Sequence, residues 1–308
     1  MSRLRGQVDD YLRLRRSLGY KLVEHERFLN QYVDYLEEIH ASTITAENAV
    51  TWAKSPTGVN PRWHGARLSA VRGFATWAQA FDPGIQVPPT GLLPMRPTRA
   101  APYLYSQDQI RALMNAAAGL TPQMRSATFQ TLIGLLAVTG MRAGEATRAE
   151  VTDLDLDAGT LTVRGTKFGK TRLLPLHATV VDELRGYLTL RNDAALPGTT
   201  ALLISTTGTR LTYDNACKVF QKLTARAGIV SRSSACRPRM TDLRHSFAVN
   251  TLLDAYRAGA DVGERLPVLS TYLGHTEPAN TYWYLHAAPE LMALAAERLA
   301  AHDAEVER

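Results

Sequence analysis

Four stretches in the second half of the chain set cationic or nucleophilic side chains beside turn residues. In T-G-M-R-A-G-E, Thr139–Glu145, Arg142 follows a helix stop at Gly140 and has Glu145 three residues on. In G-T-K-F-G-K-T-R-L-L-P-L, Gly165–Leu176, Lys167 falls in a glycine-containing turn between two strand-like runs. In T-D-L-R-H-S-F-A, Thr241–Ala248, Thr241 and Arg244 are three apart and share a face if the segment is a helix; Thr241 would serve equally well as the N-cap of that helix. The fourth is L-G-H, Leu273–His275, followed nine residues later by Tyr284 in T-Y-W-Y-L-H. Guanidinium groups stay charged and grip oxyanions through two parallel hydrogen bonds. A phenol becomes a nucleophile once its proton is removed or its anion is stabilised. Taken singly, each stretch has an ordinary explanation. Arg142 would pair with Glu145 at the surface, Lys167 would solubilise a hairpin tip, His245 would be a core histidine, and Tyr284 would be one of three packed aromatics with Tyr282 and Trp283.

These residues need a scaffold, and the 308-residue length favours two domains. Residues 8–80 read as helices. Val8, Tyr11, Leu12 and Leu14 run up to a stop at Gly19, and Phe28, Tyr32, Val33, Tyr35, Leu36 and Ile39 recur at helical spacing. Thr43 and Thr45 are candidate N-caps, residues 56–61 form a loop, and a helix follows over Ala66–Phe81. The basic residues Arg62, His64, Arg67 and Arg72 accompany it, either as a solvated face or as a face turned to DNA. Six prolines in Asp82–Pro102 mark an extended linker carrying Arg96 and Arg99. Beyond it, Ser106 starts a helix, and Phe129–Val138 is an apolar helix stopped by Gly140. Leu154–Val163, turning at residues 157–159, and Leu173–Leu176 predict a small hairpin or three-stranded sheet. Helices return over Asn215–Ala227, Leu243–Tyr256 and Pro289–His302.

The net charge of +6 and the pI of about 9.4 suit a polyanionic partner, since neutralising phosphates releases condensed counterions. Cys217 and Cys236 read as reduced thiols rather than a disulfide framework. The opening M-S-R-L-R-G-Q-V-D-D has no apolar signal region, and no apolar run is long enough to span a bilayer. The expected location is cytoplasmic.

In their joint order and framing across residues 103–295, Arg142, Lys167, Arg244, Gly274-His275 and Tyr284 resemble the tyrosine recombinase and phage integrase family, in its Xer-like layout. The resemblance implies a mainly α fold with a small antiparallel β-sheet. It implies a helical, SAM-like core-binding domain over 1–84, a Pro-rich linker over 85–102 and an α+β catalytic domain over 103–308 ending in a helical tail. The activity it implies is site-specific cleavage and rejoining of double-stranded DNA through a 3′-phosphotyrosyl link on Tyr284. Arg142 and Arg244 would bind the scissile phosphate, Lys167 would protonate the 5′ leaving group, and His275 would assist the phosphate or the tyrosine. No metal, ATP or other cofactor is called for. A homotetramer on two DNA sites is implied, in some members with partner recombinases, and the tail either docks on a neighbouring protomer or packs on its own domain.

Two departures stand out. The family has a histidine three residues before its second arginine, and here that position is Thr241. Threonine donates a hydrogen bond to a phosphate but does not act as an acid or base near neutral pH. The alternative function is therefore a catalytically weakened or accessory DNA-binding member acting with partner recombinases. The second departure is Asp254–Pro267, which spreads Arg244 and His275 to 31 residues apart and is expected to be a longer helix or loop. A type IB topoisomerase shares the chemistry, but the two-domain layout and the L-R-H and L-G-H boxes favour the recombinase.

Overall fold

The first 99 residues bury one face from each of four helices: α1 (Arg3–Ser17), α2 (Val23–Glu38), α3 (Ala46–Lys54) and α4 (Pro61–Ala78). This computed structural model describes residues 3–94, 101–164 and 171–274, with positions 281 and 296. It divides the chain into two compact units, Met1–Arg99 and Ala100–Arg308. In the first, Val8, Tyr11, Phe28, Leu29, Tyr32, Trp52, Leu68, Val71 and Phe74 form the core; each large apolar side chain so buried contributes about 1.5–3 kcal/mol. Leu14 and Ile39, on the expected apolar periods, are exposed. Thr45 caps α3 through a reciprocal pair, accepting from the Asn48 backbone N–H at 3.1 Å while Asn48 Oδ1 accepts from the Thr45 N–H at 3.0 Å.

Helix α4 starts at Pro61, five residues before the expected Ala66. Asn60 Oδ1 accepts the Arg62 N–H at 3.0 Å, and proline fits the first helical position because the N–H it lacks would have no helical partner there. The basic row on α4 is not a single face. Arg67 is buried, donates to the Trp52 carbonyl at 2.9 Å and lies 3.7 Å above the Trp52 ring. Arg72 donates to the Pro88 and Pro89 carbonyls, 2.7 Å each, and fastens the start of the proline-rich stretch, from which Ile85 and Leu93 enter the core. Arg62 remains exposed.

In the second unit, Ser106 opens α5 (Gln107–Ala118) with a capping box closed by Gln109. Helix α6 (Gln123–Thr139) runs through the core on Phe129, Leu132, Ile133 and Leu136. The single-turn α7 (Ala143–Ala146) leads through a 3-10 turn to an antiparallel sheet ordered β1-β2-β3: β1 (Leu154–Asp155), β2 (Thr160–Val163) and β3 (Arg172–Pro175). Leu161 faces Leu174 and Val163 faces Arg172. The expected small sheet is present, on a mainly helical fold, while the turn carrying Lys167 lies outside the described residues. Then follow α8 (Ala178–Ala194), α9 (Tyr213–Arg226), α10 (Asp242–Arg257) and α11 (Val262–Leu273). The helix expected over Pro289–His302 lies outside the described residues. Among the described residues no helix is long and apolar enough to cross a membrane.

The 254–267 stretch resolves into the end of α10, a turn at Gly259 and the first half of α11. Asp261 caps α11 by accepting the Gly263 N–H at 2.7 Å. Val262, Leu266, Leu269 and Leu273 pack against Ala248, Val249, Leu252 and Leu253 of α10, so the extra length returns the chain along α10 toward Arg244.

Gly140 ends α6 in the left-handed region at φ 59°. A Cβ there would lie 2.3 Å from Cδ1 of Phe247. Gly140→Ala is expected to lower the unfolding free energy by ~2–4 kcal/mol, from left-handed strain plus overpacking. Urea unfolding measures it, and a loss below about 0.5 kcal/mol would show that the turn relaxes.

Candidate active site

Arg142 takes its position from the turn that ends α6. Its backbone N–H donates to Glu145 Oε2 at 2.9 Å and its guanidinium Nη1 to Oε1 at 2.8 Å. A second guanidinium, Arg172 of β3, reaches the same carboxylate, with Nη2 to Oε2 at 2.7 Å and Nη1 to Oε1 at 3.2 Å. The Glu145 side chain is 2% exposed. Burial alone would raise its pKa, but the Arg172 hydrogen bonds and those from Arg142 outweigh it and hold the carboxyl at about 2. Arg142 keeps a free side toward solvent, its side chain 42% exposed, whereas Arg172 is largely enclosed.

Arg244, on the first turn of α10, is buried. Its Nη1 donates to the Gly140 carbonyl at 2.9 Å and its Nη2 to the Leu273 carbonyl at 2.7 Å. Arg142 Nη2 lies 3.5 Å from the next carbonyl, Gly274. Two arginines distant in sequence thus converge on consecutive carbonyls at the end of α11, immediately before His275. Gly274 makes that end by turning left-handed at φ 70°, and a Cβ on it would sit 3.0 Å from Arg172 Nη1. Two guanidiniums share one carboxylate and a third, Arg244, sits on the neighbouring carbonyls, so the cluster carries an excess of positive charge suited to an oxyanion.

Thr241 occupies the N-cap position of α10, but its side chain makes no capping bond and the residue is exposed. It lines a cavity of about 190 Å³ with Tyr213, Cys217, Arg239 and Met240. His245 is half-buried, with Nε2 3.9 Å from Asp242 Oδ1. Of the expected site residues, the structure brings Arg142 and Arg244 together and sets Thr241 one helical turn from Arg244. Lys167, His275 and Tyr284 lie outside the described residues. Among the described residues no group of three His, Cys, Asp or Glu side chains is placed to hold a metal.

Two neighbours of the arginines escape a motif-based reading. Arg172 sits on the same phase of β3 as the buried Leu174, and a charge on the inward phase of a strand is the signal that marks it. Tyr272 stacks on Phe247 with ring centroids 5.7 Å apart. Burial raises its pKa against the opposing pull of Arg172 and Arg244.

The Glu145 carboxyl is lowered from 4.5 to about 2 on folding. A lowered carboxyl stabilises the folded state above its unfolded pKa, and that contribution disappears as pH falls through the folded one. Glu145→Gln is therefore expected to cost stability at neutral pH and to flatten the stability profile between about pH 4.5 and 2. Unfolding measured across that range checks this; an unchanged acid limb would show that Glu145 is not the titrating partner.

Residues 104–290 match the model of the phage integrase family. The chain is 44% identical over 306 residues to a Sinorhizobium fredii protein provisionally named integrase/recombinase y4rB, covering 97% of this chain and 98% of that one. It is 34% identical over 235 residues to the tyrosine recombinase XerD of Mycobacterium tuberculosis, covering 73% and 71%. Among solved structures, the XerH site-specific recombinase bound to a palindromic difH substrate in a post-cleavage complex aligns with a TM-score of 0.65 at 18% identity, covering 88% of this chain and 78% of that one. The Tn1549 transposon integrase in complex with a circular intermediate DNA aligns at 0.66 and 16% identity, covering 97% and 100%. These likenesses show a common fold, and the family match together with the curated relatives shows more: the chain belongs to the phage integrase family of tyrosine recombinases.

Proposed function

We propose that this protein is a site-specific DNA recombinase, or integrase, that cuts and rejoins duplex DNA through a covalent 3′-phosphotyrosyl intermediate on Tyr284. The observation that carries the reading is the convergence of Arg142 and Arg244 on the Leu273 and Gly274 carbonyls beside the L-G-H box. A phosphodiester gains negative charge on its non-bridging oxygens as a nucleophile adds, and preorganised guanidiniums stabilise that charge. In the first step Tyr284 loses its phenolic proton to solvent, its oxygen bonds to phosphorus and the bond to the 5′ oxygen breaks, with Lys167 donating the proton that makes a 5′ hydroxyl. His275 hydrogen-bonds the phosphate or assists the tyrosine. The phosphotyrosyl link retains the bond energy, so a 5′ hydroxyl of the exchanged strand reverses the step with neither ATP nor a metal. The exposed Thr241 hydroxyl, free of any capping duty, supports a hydrogen-bond contact with the phosphate.

The first unit serves as the core-binding domain and the second as the catalytic domain. Pairs of protomers occupy each crossover site and assemble as a tetramer on two sites, where partner recombinases join in some reactions. Such an activity belongs in the cytoplasm, with its DNA. A second reading, an accessory or slowed member, draws on Thr241, which places no titratable ring where the family has a histidine.

Incubation with a nicked suicide substrate, resolved on a denaturing gel, separates the two. A covalent protein–DNA adduct that disappears in Tyr284→Phe is expected; no adduct on a verified cognate site would favour the accessory reading. Arg142→Ala should slow adduct formation by about 100–1000-fold, in line with loss of one oxyanion-stabilising donor. Thr241→His should preserve or raise the cleavage rate. A large loss with normal DNA affinity would mean that the site is built around threonine.

A further inference from the structure

Asp242 lies between Thr241 and Arg244 in sequence, is fully buried, and has no part in the chemistry above. Its carboxylate accepts the Arg239 guanidinium at both oxygens, Nη2 to Oδ1 at 2.8 Å and Nε to Oδ2 at 3.0 Å, and the Arg239 backbone N–H at 3.0 Å. It also accepts the backbone N–H of Tyr103, from the segment that opens the second unit. That segment is tied to α10 a second time, because the Tyr105 N–H donates to Ser246 Oγ at 2.8 Å and Ser246 Oγ donates to the Asp242 carbonyl at 3.0 Å. The Tyr105 hydroxyl donates to the Arg239 carbonyl at 3.1 Å, Cys236 Sγ to the Pro102 carbonyl at 3.5 Å, and Arg232 Nη2 to the Leu104 carbonyl at 3.1 Å.

The Asp242 and Ser246 bonds meet in the first two turns of α10, and the other three tie the segment just before it, residues 232–239, to the same opening segment. The first turn has no side-chain cap of its own, since the Thr241 hydroxyl makes no capping bond. Asp242, one residue further on, ties the turn to Arg239 three residues back through a charge-assisted pair whose carboxylate is fully buried although the Arg239 side chain is 45% exposed. A rotation of the turn by a few degrees would carry Thr241 and Arg244 with it. Arg244 has two specific carbonyls to satisfy and so tolerates little of that motion.

We propose that Asp242, buckled to Arg239 and to the Tyr103–Tyr105 strap, is a positioning residue that sets the aim of Arg244 and Thr241 at the scissile phosphate. The role rests on the reading of Arg244 as a phosphate ligand. It makes the residues just after the proline-rich stretch part of the catalytic geometry, although none of them touches DNA chemistry directly.

The test uses the full chain, a suicide DNA substrate at saturating protein, and a temperature below the melting point of every variant. Asp242→Asn keeps the shape and the Tyr103 contact but removes the charge that pairs with Arg239. It should slow covalent adduct formation about tenfold or more while DNA affinity stays within about twofold, as expected for misaligned rather than lost groups. In a double-mutant cycle, Asp242→Asn should add much less once Arg244→Lys is present, because most of its effect runs through Arg244. Tyr105→Phe, which removes only the bond to the Arg239 carbonyl, should give a smaller slowing in the same direction and covers the case in which Asp242→Asn folds poorly. Wild-type cleavage by both variants, or fully additive losses in the cycle, would overturn the positioning role alone. Wild-type cleavage by Arg244→Lys would overturn the phosphate role of Arg244 itself.

Discussion

One enclosed carboxylate sets the terms for the second unit. Glu145 is almost out of reach of water and stays ionised only because two guanidiniums and a backbone N–H point at it. Removing either arginine would leave a charge in protein without its full complement, a change that typically costs about 3–5 kcal/mol. Arg142 is therefore held by a group that itself depends on Arg172, and Arg172 depends on the register of a four-residue strand. A slip of one residue in β3 would turn Arg172 outward and Leu173 inward. The small sheet has little core of its own to offer, and its importance lies in fixing that register.

The same economy appears in the basic residues of the first unit. Positive charge on α4 invites a reading as a single anion-facing surface, yet Arg67 and Arg72 are spent on carbonyls within the unit. Guanidiniums suit both tasks, because five donors on a planar fork can tie together backbone segments as readily as they grip a phosphate. Charge counts along a helix do not separate the two uses; geometry does.

Much of this was legible in the sequence, and what was not has identifiable causes. Caps announced themselves: Thr45, Ser106 and Gly140 all act where local chemistry says they should. The strand pattern at 154–176 carried the three-stranded sheet. Helix starts were less visible. Pro61 looks like a breaker until one sees that Asn60 caps ahead of it, and α11 hides behind Pro267, a residue that reads as a stop but sits within the helix. In the site, Arg142 and Arg244 were marked by motif. Arg172 was marked only by strand phase, and Asp242 only by Arg239 three residues before it, since its other partner comes from residue 103. Contacts between distant segments leave no periodic trace.

The anchors of Arg244 are main-chain oxygens at Gly140 and Leu273. A carbonyl is present whatever side chain the residue carries, so no point mutation can delete such an anchor. Genetic drift reaches it only through the backbone path, which here passes through two left-handed glycines, Gly140 and Gly274. The arrangement moves the vulnerability of the arginine from side chains to the backbone conformation of two glycines that meet charge only through their carbonyls. Loss-of-function variants in a protein built this way should cluster at small, chemically silent positions as well as at the charged ones.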